Sequence, residues 1–529
     1  MGNKKLQVWL PVLFALVMVW GMIIGYQLSE RTGASRFFAS TKRNSLQEVL
    51  DLVRSKYVDP IPADSINGIV IEDLLARLDP HSTYIPAADL QMVNDDLNGN
   101  FQGIGVEFQF FRDTVNVTNV IKDGPSAKAG LQVGDKIVKV NDSIDLTSKK
   151  IMTEDIRRFL RGPGGTPVNV TIVRNGAVKK VTITRGTITV STIDAAYMIT
   201  PQTGYIRINK FGERTYEEFM ENLEKLQKQK MTQLILDLRG NGGGLMNEAT
   251  DIADEFLDDN KLIVYTEGDK YDRNDYTCKR PGLFEKGKLV VLVDETSASA
   301  SEVLSGALQD WDRATIIGRR TFGKGLVQQA FNLSDGSAVR LTVARYYTPL
   351  GRNIQKPYAH KSKEEYQEEL ITRYHNGEMV AADTSKPMGK AYKTPAGRVV
   401  YGGGGITPDV FVGTDTTSLS KEATNLYYKN TLNNFVYNYY VGNMGYWNKI
   451  ASAKALATGF NPGEKEWQQL VQFAQTDSVN VNQVTPKEKS DILKRIQYLM
   501  ARQIWRNEGY FEVSNMQDPV VLKALEMMQ

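Results

Sequence analysis

Residues 234–244 read LILDLRGNGGG. With Gln233, the run QLILDL (233–238) is short and apolar, the pattern of a strand buried on both faces. It runs into a glycine-rich loop, and NEATDIADEF (247–256) then continues as a helix. A strand that feeds a glycine turn and then a helix is the repeating unit of an α/β layer. KLVVLVD (288–294) starts a second such unit, leading through small residues into the helix of DETSASASEVLSGALQD (294–310). Upstream, Tyr216, Phe219, Leu223 and Leu226 form one helical stripe, with Thr215 and Glu218 spaced as a capping box. A third stretch, GRRTFGKGLVQQ (318–329), is a turn with one lysine between two glycines, and LVQQAFNL (326–333) reads as a strand. These segments define an α/β core over 187–412.

The rest of the chain divides around that core. At 529 residues it is long enough for three or four domains. Apolar residues at 41% and charged residues at 24% exclude wholesale disorder. A net charge of +3 supplies no field for nucleic acid, so no nucleic-acid partner is expected. The single cysteine, Cys278, excludes an intrachain disulfide framework. The three histidines, His81, His360 and His375, stand far apart without metal-ligand spacing, so no metal is expected.

LQVWLPVLFALVMVWGMII (6–24) follows Lys4 and Lys5 and has the length of a bilayer span, predicting an uncleaved membrane anchor over 1–30. Arg31, Arg36, Lys42 and Arg43 after the span blur its orientation. Residues 36–95 read as a small helical segment, with apolar stripes over 45–58 and 65–78. Residues 413–529 are polar and aromatic-rich and read as a helical extension with an amphipathic helix near 486–506. Its Tyr427, Tyr428, Phe435, Tyr437, Tyr439, Tyr440 and Trp447 are read by default as core.

Residues 96–186 carry short alternating β-branched runs between turns, the texture of a compact β module. FQGIGVEF (101–108) and SAKAGLQVGDKIVKVND (126–142) together resemble a PDZ domain. The resemblance implies that a peptide C-terminus adds as a strand beside Val106–Phe110. Its carboxylate would sit near Gly103, Ile104, Gly105 and Val106, where glycine lets the backbone approach closely.

Each core stretch alone has a plain structural reading. Ser299 with Glu302 is also a capping box, Lys324 is also a turn lysine, and GNGGG is also a tight turn. Gly318–Lys324 imitates a phosphate loop, but Gly325 replaces the required hydroxyl residue, which excludes a nucleotide site. Taken together, SASASE (297–302), FGKG (322–325), LDPHSTYIP (78–86), TPLGRNIQ (348–355) and GITPDV (405–410) resemble the C-terminal processing peptidases, PDZ-containing Ser/Lys serine proteases of peptidase family S41. That resemblance implies a crotonase-like α/β protease core that needs no cofactor. It implies Ser299 as nucleophile, Lys324 as general base 25 residues later, and Gln328 as the group that orients the lysine.

The chemistry agrees with these roles. A serine hydroxyl needs a base, and a lysine serves as one when burial holds its amine neutral. Gln328 can hold that amine without adding a charge that raises its pKa. The oxyanion requires fixed donors, expected from the N–H groups of Ala300 and Gly243, with Gly244 second to Gly243. Ser297 and Ser301 are read as packing or hydrogen-bonding residues, and His81 as ordering its loop.

The sequence thus predicts a serine endopeptidase of the bacterial envelope, held in the inner membrane with its catalytic part in the periplasm. It would cleave proteins or peptides with accessible C-termini. The alternative is a catalytically inactive, membrane-tethered PDZ scaffold. An adaptor or a second copy of the chain stays open as a partner.

Overall fold

The computed structural model describes residues 4–31, 45–59, 63–148, 151–258, 260–359, 361–381, 389–415 and 419–529. The chain forms two compact units, Met1–Ile71 and Glu72–Gln529. The first contains the helix Lys4–Arg31, which carries Pro11, and the amphipathic helix Ser45–Lys56. Trp9 and the side chains of residues 11–24 are exposed. Among the described residues, no helix is long and apolar enough to cross a membrane. The run at 6–24 is helical as part of Lys4–Arg31, but the membrane span expected there is not supported among the described residues. Residues 36–44 of the expected helical segment lie outside the described residues.

The second unit is built on a six-stranded sheet. Its order is Ile193–Met198, Thr203–Ile208, Gln233–Asp237, Lys288–Val293, Thr315–Gly318 and Val410–Phe411. All neighbours are parallel except the first pair. Both central strands are buried, as their uninterrupted apolar runs require. The helices Thr215–Lys228, Met246–Asp254 and Ala300–Asp310 cover one face through Phe219, Leu223, Ile252, Val303 and Leu304. Thr215 and Glu218 do not form the expected capping box. Thr215 accepts from the Gly212 N–H, and Glu218 reaches away to Thr192 and Ser191. The helix starts one residue earlier than a Thr215 cap requires, with Arg214 at the cap position, so the Thr215 hydroxyl serves the preceding turn and Glu218 is taken by Ser191 and Thr192.

An antiparallel sheet stands beside this layer. It places Thr83–Ile85, Ala338–Tyr347, Leu262–Gly268 and Tyr271–Thr277 in order, with Leu326–Asn332 also paired to Ala338–Tyr347. The β module forms its own sheet, in which Val106–Phe111 is one edge strand and Ala177–Thr184 lies at the other end. Ile104 is buried in that module's core.

The C-terminal segment is helical, and it joins the other parts of this unit. Phe435, Tyr440, Trp447, Trp467 and Leu470 pack into its own core, whereas Tyr428 is exposed. Tyr437 instead donates to the Val117 carbonyl of the β module at 3.2 Å and meets Phe111 edge-on. The long helix Pro486–Ser514 breaks at Trp505 and Arg506, and Arg506 (φ +61°) bonds Glu107 on the edge strand. Past the break, Asn507 donates to Asp194 at 2.7 Å. The last helix, Pro519–Met528, lays Val520, Val521, Ala524 and Met528 over the second face of the six-stranded sheet, against Tyr205, Ile235 and Leu292. Lys288 and Gln233 both donate to the Met528 carbonyl. The sheet is thus covered on both faces only because the extension returns to it.

Val521→Ala removes buried methyls at this junction and is expected to cost about 2 kcal/mol. The check is a lower denaturant midpoint at unchanged slope.

Candidate active site

The nucleophile candidate sits where a buried strand ends. After Lys288–Val293 the chain turns on Asp294, whose Oδ1 accepts the N–H groups of Thr296, Ser297 and Gly240. Ser299 follows at φ +55°, the left-handed region that a non-glycine residue rarely occupies, and the helix Ala300–Asp310 begins on the next residue. Such strain persists only where the surroundings over-determine it. The Ser299 side chain makes no capping hydrogen bond, so the hydroxyl is not consumed by the helix. The Ala300 N–H opens the first helical turn, whose donors have no intrahelical partner.

The glycine loop is bonded directly to this turn. The Asn241 carbonyl accepts from the Ala298 N–H at 3.0 Å and from the Ser301 hydroxyl at 2.9 Å. Ser297 donates to the Leu238 carbonyl at 2.8 Å. Gly243 has φ +99°, and a Cβ there would stand 2.7 Å from the Ser299 Cβ and 3.0 Å from the Ala300 nitrogen. Only glycine fits that approach. Gly243, Ser299 and Ala300 therefore lie together, but the Gly243 N–H already donates to Asn241 Oδ1 at 2.9 Å.

Lys324 lies in the loop before Leu326–Asn332. Its Nζ donates to Gln328 Oε1 at 2.9 Å. Gln328 in turn donates to the His81 carbonyl at 2.5 Å. The strand register slips between Val327 and Gln328, a bulge that re-aims the glutamine. His81 belongs to LDPHSTYIP, where Asp79 accepts from the N–H groups of His81 and Ser82, both at 2.8 Å. Burial and Lys324 lower the His81 pKa to about 4, so its ring is neutral near pH 7. Burial, then the Arg340 charge, lowers the Lys324 amine from 10.5, opposed by Glu302 and Asp79.

One residue joins both halves. Glu302 is fully buried. Its Oε2 accepts the N–H groups of Ser299 and Lys324, each at 2.8 Å, and its Oε1 accepts the Gly323 N–H at 2.8 Å and the Thr321 hydroxyl at 2.5 Å. Burial pushes its carboxyl up to about 7, against these four hydrogen bonds. Tyr346 repeats the connection from the other side, donating to the carbonyls of Ser299 and Lys324. The remaining landmarks support the lysine loop. Gln355 accepts from the Gly325 N–H at 2.8 Å, and Ile406 donates to Thr321 Oγ1 at 2.6 Å. The buried Arg352–Asp310 pair, at 2.6 Å, anchors this segment to the end of the serine helix.

Sequence reading missed two of these roles. Glu302 was legible only as a cap three residues past Ser299, and nothing local marked Tyr346. In the β module, the Ile104 carbonyl accepts from Ser126 and the Gly105 carbonyl from Ile121. Gly103 pairs with Gly186, and Val106 begins the edge strand. A Cβ on Gly105 (φ +73°) would meet Ile188 at 2.9 Å.

The chain is similar in sequence to known proteins. The family model of peptidase family S41 matches residues 202–360, a PDZ domain model matches 117–174, and a family of unknown function matches 423–506. A carboxy-terminal-processing protease of Bartonella bacilliformis is 37% identical over 318 residues, 58% of this chain and 71% of its own length. A probable CtpA-like serine protease of Staphylococcus epidermidis is 33% identical over 344 residues, 63% of this chain and 69% of its own. A solved photosystem II D1 C-terminal processing protease aligns at 27% identity and TM-score 0.36, covering 69% of this chain and 88% of that one. The chain belongs to peptidase family S41, as a PDZ-bearing serine protease of the carboxy-terminal-processing kind.

Glu302→Gln turns an acceptor oxygen into an amide donor facing two existing donors. It is expected to cost on the order of 3 kcal/mol in stability and about 100-fold or more in peptide cleavage. Thermal melts and a fluorogenic peptide assay check both. Parent-like turnover would remove Glu302 from the site.

Proposed function

We propose that this chain is a membrane-anchored endopeptidase that takes protein C-termini on its PDZ edge strand and cleaves through an acyl-enzyme on Ser299, with Lys324 as general base. The observation that carries the reading is the sharing of one buried carboxylate, Glu302, by the backbones of Ser299 and Lys324. Two loops of separate sequence origin are thereby held in fixed register, as proton transfer between their side chains requires.

Neutral Lys324 takes the Ser299 proton as Oγ attacks the scissile carbonyl. The resulting ammonium then protonates the leaving amine. Water repeats the sequence on the ester and releases the acid. Gln328 holds Nζ throughout without adding charge. The oxyanion is received by the Ala300 N–H and by the Gly243 N–H, which has Asn241 Oδ1 as its resting partner.

The open edge at Val106–Phe111 supports strand addition by a peptide. The apolar run at 6–24, helical and exposed where its side chains are described, supports an anchor. A periplasmic catalytic unit is part of the same proposal, and it rests on the resemblance to the C-terminal processing peptidases rather than on the charges beside the run.

Ser299→Ala and Lys324→Ala are each expected to abolish cleavage while the PDZ module still binds peptide. A free-C-terminal peptide is expected to be cut faster than its amide. Retained cleavage in Ser299→Ala overturns the mechanism and leaves the scaffold reading. Because the base must be neutral, kcat/KM should rise with pH along a limb below 10.5. Gln328→Glu adds a charge that favours the ammonium, so it should move that limb to higher pH. A limb unmoved by this change separates Gln328 from Lys324.

A further inference from the structure

The glycine loop has a second anchor, and it comes from the C-terminal extension. Arg239 immediately precedes Gly240. Its Nε and Nη2 face Asp237, with Nη2 at 2.6 Å from Oδ2, and its backbone N–H donates to Asp237 Oδ1 at 2.9 Å. Its remaining nitrogen, Nη1, donates to both carboxylate oxygens of Asp518, at 3.0 and 2.9 Å. The Arg239 carbonyl accepts from Arg207 at 2.6 Å. Asp237 is fully buried, and burial alone would raise its pKa, but Arg239 and Arg207 hold it well below the usual carboxylate range.

Asp518 is itself held firmly. It caps the last helix through the N–H groups of Val520 and Val521, at 2.9 and 3.0 Å, and that helix is packed on the sheet. The loop beyond Arg239 is held again at Asn241 and Gly243, whose carbonyls accept from Ala298 and Phe211, so Arg239 is one of several holds on it. Gly240, Gly243 and Gly244 all have positive φ, and glycine supplies little conformational restraint. Where the Gly243 N–H stands depends on these holds together, and Arg239 sets the point at which the loop leaves its strand.

We propose that Asp518 is a positioning residue for the oxyanion loop, acting through Arg239. The C-terminal extension thereby becomes a component of the protease site, although residue 518 lies outside every matched family segment. The proposal rests on Ser299 and the glycine loop acting as described above.

Asp518→Asn in the full-length chain is the decisive variant, because asparagine caps a helix as well as aspartate but carries no charge for Arg239. Its kcat on a short peptide is expected to fall about tenfold with KM and melting temperature unchanged. Affinity for a peptide aldehyde, whose Ser299 adduct carries an oxyanion, should fall by about the same factor, and affinity for the cleaved product peptide should not. Asp518→Glu should recover part of the loss, and Asp518→Ala should add a lower melting temperature.

Parent-like kcat and aldehyde affinity in Asp518→Asn overturn the proposal. So does a kcat loss matched by loss of folded protein. If the parent takes no aldehyde on Ser299, the catalytic reading fails first and this proposal falls with it. If the parent takes it and Asp518→Asn does so equally well, only this proposal falls.

Discussion

The carboxylate of Glu302 is the interaction on which the site depends. Ser299 and Lys324 arise from different loops, and no side-chain bond between covalent neighbours brings them together. Glu302 does so by accepting from both backbones, from Gly323 and from Thr321. A buried carboxylate is costly unless its oxygens are saturated, and here both are. The desolvation that makes Glu302 expensive also lowers the Lys324 amine. One dry environment therefore carries the cost and lowers the amine together.

A second layer of backbone contacts surrounds this carboxylate. Tyr346 bridges the same two residues, Gln355 and Ile406 support the lysine loop, and the His81 carbonyl holds Gln328. Each family landmark ends on one of these bonds. Their spread along the sequence reflects a site closed from several directions, with most holding groups placed on loops that a rigid sheet presents.

Much of this was legible from residues. The strands at 233–238 and 288–294 were readable because central strands of a mostly parallel sheet are apolar throughout. Ser299, Lys324 and Gln328 are singled out through their motif set, and the structure brings Lys324 and Gln328 to 2.9 Å. The bonding within GNGGG was not readable, because whether the Gly243 N–H meets Asn241 Oδ1 is a question of ångströms. Glu302 reads only as a cap, which it is toward the Ser299 N–H, and its further bonds to Thr321, Gly323 and Lys324 left no mark in the local sequence. The extension was least legible. Its aromatics read as one core, whereas Tyr437 serves the PDZ module and Asp518 reaches a loop 279 residues away.

The return of the last helix to the central sheet fixes an order of events during biosynthesis. Strands 203–208, 233–237 and 288–293 are made long before Pro519–Met528, so one apolar sheet face must wait uncovered while the intervening chain is produced. Contacts so distant along the chain are slow to form, and bare strands in that interval are prone to mispairing. The serine and lysine loops are likewise complete in covalent terms well before their sheet is closed.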